Sequence, residues 1–389
     1  MPRPAANDSR HLAGSSPRHV VVMPFIGERV GGSHLSALLL WQGLQNTAFE
    51  PMIVVHREGL LTEHLTARRI PWRLVPLRRF VGDRATPSGY ASAALSCARP
   101  LVSFLRDVEA AIVHTNDLRM HMSWALPARL AGVRQLWHQR TVFARSRSTR
   151  IAARLAHRFA CISTFCLQGL PTSCRARGRV IHNPIAAERN PDRAAARRML
   201  IDELGISAES SIVLFVGNLQ AQKRPFVFVD AAARVASDLG KPVVFAILGA
   251  DKEGLMPAAR QSAAEHGIDL RFLGFRHPPE PWIAAADVLL APSVDEGFGR
   301  TLVEAMQVGT PVVAARSGGH PEVVRDGATG FLVPVDDAPT MARVAVQVLT
   351  NPGSAEIASA ARREVDGRYS IERHVAAVTA LYGEMLDAK

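Results

Sequence analysis

Two glutamates, Glu296 and Glu304, stand eight residues apart in the segment APSVDEGFGRTLVEAMQVGT. Glu296 follows the apolar run VLLAP (288–292) and falls in a loop, whereas Glu304 lies about one turn inside a helix that starts near Phe298 or Gly299. Both carboxylates are thereby predicted at the carboxyl end of one strand, where open α/β sheets bind ligands. Gly297 and Gly299 let the chain turn sharply between them, and the first-turn amides of Gly299, Arg300, Thr301 and Leu302 are left to face an anion. A second charge arrives from upstream. In IVLFVGNLQAQKR a strand ends at Gly217, and Lys223 follows six residues later, which brings an ammonium group to the same sheet end. Carboxylates accept from hydroxyls, while amides and an ammonium hold phosphate. A nucleotide sugar carries both kinds of group.

Other chemistry-bearing residues fall at the ends of strand-like runs. Gly31 and Gly32 precede a helical pattern in MPFIGERVGGSH. AIVH ends at His114, with Asn116 two residues on, and RQLWHQR carries His138 and Arg140. Arg224 follows Lys223 directly, and Gly274 ends LRFLG. Each has a plain alternative role as a flexible loop or a hydrogen-bonded core histidine, and His182, before Asn183-Pro184, reads as a hinge marker.

The elements that must position these residues alternate strand and helix. HVVVMPF, MIVV and AIVH are followed by helical patterns over 33–47, 60–69 and 118–130. The alternation resumes after Arg189 with IVLFVGN, a helix over 225–239, VVFAILG, a helix over 254–266, LRFLG, DVLLAP, the helix with Glu304, and PVVAA. An Arg- and Ala-rich helix over 192–204 lies in the crossover 183–211. The reading is an α/β chain of two parallel-sheet domains: a disordered tail over 1–17, a first domain over 18–190, a second over 191–369, and a last helix over 370–389.

At 389 residues the chain suffices for two cores. Its four cysteines fit neither a zinc pattern nor a disulfide framework and read as reduced thiols. No signal-type apolar stretch or membrane-spanning run is present, which predicts a cytoplasmic protein. The net charge of +11 is uneven: residues 1–190 hold 26 Arg, no Lys and 10 acidic residues, a net +16 that leaves −5 for the remainder. Arg140, Arg145, Arg147, Arg150, Arg154 and Arg158, interleaved with Ile151, Leu155 and Phe159, suggest a helix with a basic face and an apolar stripe. Such a helix either lies on an anionic membrane or packs its stripe on a sheet. The arginines do not alternate with aromatics, so no nucleic-acid partner is expected.

EGFGRTLVE, followed by GTPVVA, GGHPEVV and GATGFLV, resembles the donor-binding half of family-4 retaining glycosyltransferases, the glycosyl transferases group 1 of GT-B fold. The resemblance is strong over 212–335 and extends over 20–184 in β/α order and scattered motifs. It implies a GT-B architecture, two Rossmann-like domains facing across a cleft, with an N-terminal acceptor domain, a C-terminal nucleotide-sugar donor domain and a last helix that crosses back. Glu304 would hold the ribose hydroxyls, Glu296 with Gly297, Phe298 and Gly299 the transferred sugar, and Lys223 with Gly217 the diphosphate. Lys223, Glu296 and His114 become the catalytic candidates. The implied reaction moves a sugar to a hydroxyl acceptor, a glycan or lipid-linked glycan, in polysaccharide or glycolipid assembly. The acceptor would attack from the face the phosphate leaves, with no metal and no cofactor beyond the nucleotide-sugar substrate. The site would be cytoplasmic, at the inner membrane face. Two departures stand out. Asn218 occupies a position where arginine is usual, so that Arg224 or Arg300 would have to compensate, and Asn116 replaces the second histidine of a His-x-His pattern. An epimerase or phosphorylase on the same fold, or a noncatalytic anion- or sugar-binding protein, are the competing readings.

Overall fold

The computed structural model describes residues 18–81, 87–185 and 191–387. The N-terminal tail, part of the boundary near 190 and the last two residues therefore lie outside the described residues.

Seven parallel strands form the first sheet: β1 (His19–Phe25), β2 (Phe49–Val55), β3 (Trp72–Leu74), β4 (Ala110–Thr115), β5 (Arg134–Gln139), β6 (Arg158–Cys161) and β7 (Gly178–Val180), in the order β3-β2-β1-β4-β5-β6-β7. Six more form the second: β8 (Ser211–Val216), β9 (Val243–Leu248), β10 (Leu270–Gly274), β11 (Val288–Ala291), β12 (Val312–Ala315) and β13 (Phe331–Val333), ordered β10-β9-β8-β11-β12-β13. Parallel strands are covered by helices on both faces, which is why HVVVMPF and SIVLFV are apolar after their first residue rather than alternating; Val21, Val22, Val213 and Leu214 are wholly buried. In each sheet the strand order reverses beside the first strand of its domain, at β1/β4 and at β8/β11, and ligand crevices open at such switch points. These are two Rossmann-like α/β domains.

The last helix, Ile371–Asp387, leaves the second domain and completes the core of the first. Val375, Val378, Leu381, Tyr382 and Met385 pack among Val21, Phe25, Leu40 and Leu44. It crosses the helix Gly32–Leu44 at Gly43, where a Cβ would lie 2.3 Å from Val375 Cγ2.

The basic segment differs from its sequence reading. Arg140 follows the end of β5, Phe159 belongs to β6, and only Arg147–Leu155 is helical. Its buried stripe is Thr149, Ala152 and Ala153, while Ile151 is 59% exposed among Arg147, Arg150 and Arg154. Ile151 thus sits on the charged face, because the spacing of three and four places it beside those arginines. None of the four cysteines is in a disulfide, and all are buried.

Candidate active site between the two domains

The chain after β11 turns through Asp295 and Gly299, both at positive φ (51° and 95°), and enters the helix Arg300–Gln307. Gly299 needs its glycine: the left-handed backbone there costs any larger residue, and a Cβ would stand 3.0 Å from His320 Cδ2. The turn Gly318-Gly319 braces it from behind. The Gly319 amide donates to Glu296 O at 2.8 Å, and a Cβ on Gly318 would lie 2.2 Å from that same oxygen. The motif GGHPEVV is therefore a support of this loop, a role its spacing alone did not disclose.

After β8 the chain passes Gly217 and forms a single 3₁₀ turn, Ala221–Lys223. The aliphatic part of Lys223 runs over Gly217, about where a side chain would stand, at 3.5 Å from its Cβ position. Lys223 Nζ then meets Glu296 Oε2 at 2.5 Å. Burial pushes the Glu296 carboxyl up, but the Lys223 charge and hydrogen bond, with His320 and Ser293, outweigh it and hold Glu296 below the ordinary carboxylate range. Gln222 fixes the two loops to each other: its carbonyl accepts from Val294 N at 3.0 Å and its amide donates to Asp295 O at 3.0 Å.

Glu304 lies deeper. Its Oε1 accepts from Arg300 Nε at 2.7 Å, and burial pushes its carboxyl up against the pull of that guanidinium. Arg300 also reaches the first domain, 3.4 Å from Gly32 O and from Ser36 Oγ. Glu296 stands on the cavity wall, whereas Glu304 does not line it and lies behind Arg300. A cavity of about 380 Å³ is lined by Lys223, Glu296, Gly297, Phe298, Gly299 and Arg300 on one side and by Gly32, Ser33, Arg140 and Asn183 on the other. Across it Ser163 Oγ donates to Gly297 O at 2.5 Å, and the Glu322 carboxylate accepts from Thr164 N and Phe165 N at 2.7 and 2.8 Å, capping a first-domain helix from the second domain.

Several candidates take other places. His114 is wholly buried, with Nδ1 at 2.5 Å from Tyr382 Oη and Nε2 at 3.0 Å from His138 Nδ1. Both ring nitrogens are engaged away from the cavity, so the catalytic contact expected of it is corrected to a structural one. His138 is equally buried and lies 3.2 Å from Arg140 Nη2. Burial, reinforced by the Arg140 charge, keeps both rings neutral. Asn116 accepts from Arg140 Nε at 2.9 Å and so orients that side chain instead of meeting a ligand. Asn218 turns its Oδ1 to Ala250 N, 3.1 Å away. Arg224 pairs with Asp336 at 2.9 Å and does not line the cavity, which leaves Arg300 as the added cation. Gly274 accepts from Gly249 N at 2.9 Å, behind the site. Leu302 is buried, and its amide donates to Gly299 O at 3.0 Å, so among the described residues the amides of Arg300 and Thr301 stay open. Gly31 precedes Gly32 as the N-terminal cap of the first helix.

Asn183 and His34 were missed as site residues. Asn183 Oδ1 accepts from Arg140 Nη1, and His34 Nδ1 is buried without a partner near the glycine pair. Pro184 and the GGSH run were the only signals. His182 stacks on Phe298 at 5.6 Å and packs edge-on to Tyr369, which ties the segment leaving β7 to the loop after β11. Among the described residues no group of three His, Cys, Asp or Glu side chains is placed to hold a metal ion, and no helix is long and apolar enough to cross a membrane.

This arrangement of two facing Rossmann-like domains is the GT-B fold of glycosyltransferases. Residues 210–351 match the family described as Glycosyl transferases group 1. A D-inositol 3-phosphate glycosyltransferase of Geodermatophilus obscurus is 38% identical over 201 residues, covering 49% of this chain and 43% of that protein, and one of Nocardia farcinica is 43% identical over 150 residues, covering 36% and 32%. The chain spans less than half the length of the curated relatives it matches. A glycosyltransferase from Rickettsia africae superposes with a TM-score of 0.82 at 17% identity (96% of this chain, 100% of that one), and Anabaena HepE in complex with UDP and glucose with 0.79 at 20% (94% and 100%).

Proposed function

We propose that the protein is a retaining glycosyltransferase that moves a sugar from a nucleoside-diphosphate sugar to a hydroxyl acceptor. The observation that carries the reading is the Lys223–Glu296 pair at 2.5 Å in a cavity shared with Arg300 and open helix amides, at the carboxyl ends of β8 and β11. Departure of a nucleoside diphosphate builds negative charge on phosphate and positive charge at the anomeric carbon. Groups already fixed where that charge appears lower the barrier most. Lys223 Nζ and the Arg300 and Thr301 amides are such groups for the phosphate, and the Glu296 carboxylate faces the sugar. The acceptor hydroxyl attacks from the face the phosphate leaves, and a phosphate oxygen takes its proton. The ribose hydroxyls reach Glu304 when Arg300 swings aside. Support for the donor class comes from HepE, whose crystal forms hold UDP, glucose and UDP-glucose. The relatives' names carry a phosphorylated cyclitol and lend no support to polysaccharide assembly.

The reading is tested by thermal shift of the full chain with UDP, GDP and ADP. One of them at a hundredfold excess over its dissociation constant adds about 2.7 kcal/mol of stability. A flat response to all three defeats it.

We further propose that the protein binds an anionic membrane surface. Between Asp117 and Glu188 the sequence has 12 Arg and no acidic residue. On the helix Arg147–Leu155 the exposed arginines ring Ile151, and the preceding loop carries Val142, 42% exposed, at the cavity wall. Basic residues around an aliphatic one suit an anionic bilayer surface. Phosphatidylglycerol vesicles are expected to sediment the protein and phosphatidylcholine vesicles not to, with binding weakened by salt and by Arg147→Glu with Arg150→Glu. Equal binding to both lipids, or none, removes the membrane from the picture.

A further inference from the structure

The cavity holds three permanent or near-permanent cations, and two of them have a carboxylate of their own. Lys223 is bonded to Glu296 and Arg300 to Glu304. Arg140 has none among the described residues. Its side chain is 93% buried, yet the groups that hold it are neutral: Asn116 Oδ1 on Nε at 2.9 Å, Asn183 Oδ1 on Nη1, and His138 Nδ1 at 3.2 Å from Nη2. A guanidinium carries five N–H donors, so these three contacts fix its plane and leave two donors over, with the charge unmatched. Burial, and the neighbouring Arg300, depress its pKa to about 9, still cationic at neutral pH. Its main chain borders the loop assigned to the sugar: a Cβ on Gly297 would lie 3.2 Å from Arg140 O.

Desolvating an unpaired cation is unfavourable, and a fold that spends two asparagines and a histidine on orienting one has prepared a fork for an anion. Tying Arg140 to Asn116 and Asn183 also explains why the chain has asparagine at both places. On the glycosyl-transfer reading above, we infer that Arg140 is a specificity-determining anchor for an anionic group, a carboxylate or phosphate monoester, borne by the substrate on the first-domain side of the cleft and separate from the donor diphosphate. The group sits on the transferred sugar or on the acceptor.

Titration calorimetry on the full chain distinguishes these sources by comparing charged and neutral twins. The donor arm sets UDP-glucuronate against UDP-glucose, or GDP-mannuronate against GDP-mannose, whichever base binds. The acceptor arm, with the free nucleoside diphosphate present, sets inositol 1-phosphate against inositol and glucose 6-phosphate against glucose. In one arm the charged twin is expected to bind at least about tenfold more tightly, the range of a charge-assisted hydrogen bond. Arg140→Met removes that advantage while leaving the affinity for the nucleoside diphosphate itself within about twofold, and Arg140→Lys restores part of it. Equal binding of all twins by the wild-type chain overturns the inference whether or not the variants fold. So does an Arg140→Met variant that loses affinity for the nucleoside diphosphate as steeply as for the charged twins, since the guanidinium would then belong to the diphosphate. If none of UDP, GDP and ADP binds, the glycosyl-transfer reading falls and the anchor with it; if one binds and the twins do not differ, only the anchor falls.

Discussion

Lys223→Ala is expected to lower kcat for nucleotide release from the donor about 10²–10³-fold, the effect of removing one preorganised donor from a developing oxyanion. The KM for the donor should change much less, because the ammonium already has Glu296 as partner before substrate arrives and gains most when the phosphate departs. Steady-state assay of released nucleotide checks this, and a variant within about threefold of wild type would remove Lys223 from the mechanism. Folding is a separable matter. The pair is largely buried, with side chains 22% and 23% exposed, so its loss leaves the Glu296 carboxylate without its main offset to burial and lowers stability at neutral pH. The sign with pH is fixed: Glu296 is held below its ordinary value of 4.5, so the pair contributes stability above that value and loses it as pH falls through the lower folded value. Acid denaturation curves of wild type and Lys223→Ala should therefore converge as the solution is acidified below pH 4.5.

Glu304→Ala is expected to weaken nucleoside-diphosphate binding about 10–100-fold, since a hydrogen bond between a hydroxyl and a charged group contributes roughly 1.5–3 kcal/mol. The substitution has a second effect that Glu304→Gln isolates. Alanine leaves Arg300 with its carboxylate gone and frees it to swing into the cavity or toward Gly32 O and Ser36 Oγ, whereas glutamine keeps an acceptor for Arg300 Nε. Calorimetry with UDP should rank wild type, Glu304→Gln and Glu304→Ala in falling affinity, with the loss carried by the nucleoside portion and absent for inorganic pyrophosphate. An unchanged dissociation constant in both variants would show that the ribose never reaches Glu304.

The two parallel sheets could be anticipated because parallel strands covered on both faces leave apolar runs, as in VVVMPF and IVLFV, alternating with helical patterns. That Lys223 and Glu296 lie at one sheet end was legible because glycines at strand ends mark where the chain turns, whereas their direct pairing was not. What could not be read is facing. His114 occupies the strand end that suggests a ligand contact, yet alternate side chains of a strand point to opposite faces, and its own goes to Tyr382, 268 residues away. Glu322, docked on the amides of Thr164 and Phe165, belongs to the same class of long-range contact. The helix Pro87–Asp107 escaped because PSGYASAALSCARP offers small residues and an internal Pro100 in place of a periodic large apolar stripe. Arg140 was legible as a cleft candidate at a strand end and as a member of the basic cluster, but not as a buried cation held by neutral partners. Only its neutral, buried surroundings set it apart from the exposed arginines that follow it.

The helix Ile371–Asp387 has a consequence for how the chain is made. Strands β1 to β7 leave the ribosome first, but the hydrophobic layer over Val21, Phe25 and Leu40 stays open until Val378, Leu381 and Tyr382 are synthesised, some two hundred residues after β7. Domains usually fold in order of synthesis, whereas here the first domain must wait for the helix Ile371–Asp387, with an apolar face uncovered during that interval. A chain lacking residues 371–387 would thus expose that face permanently and is a substrate for aggregation or proteolysis.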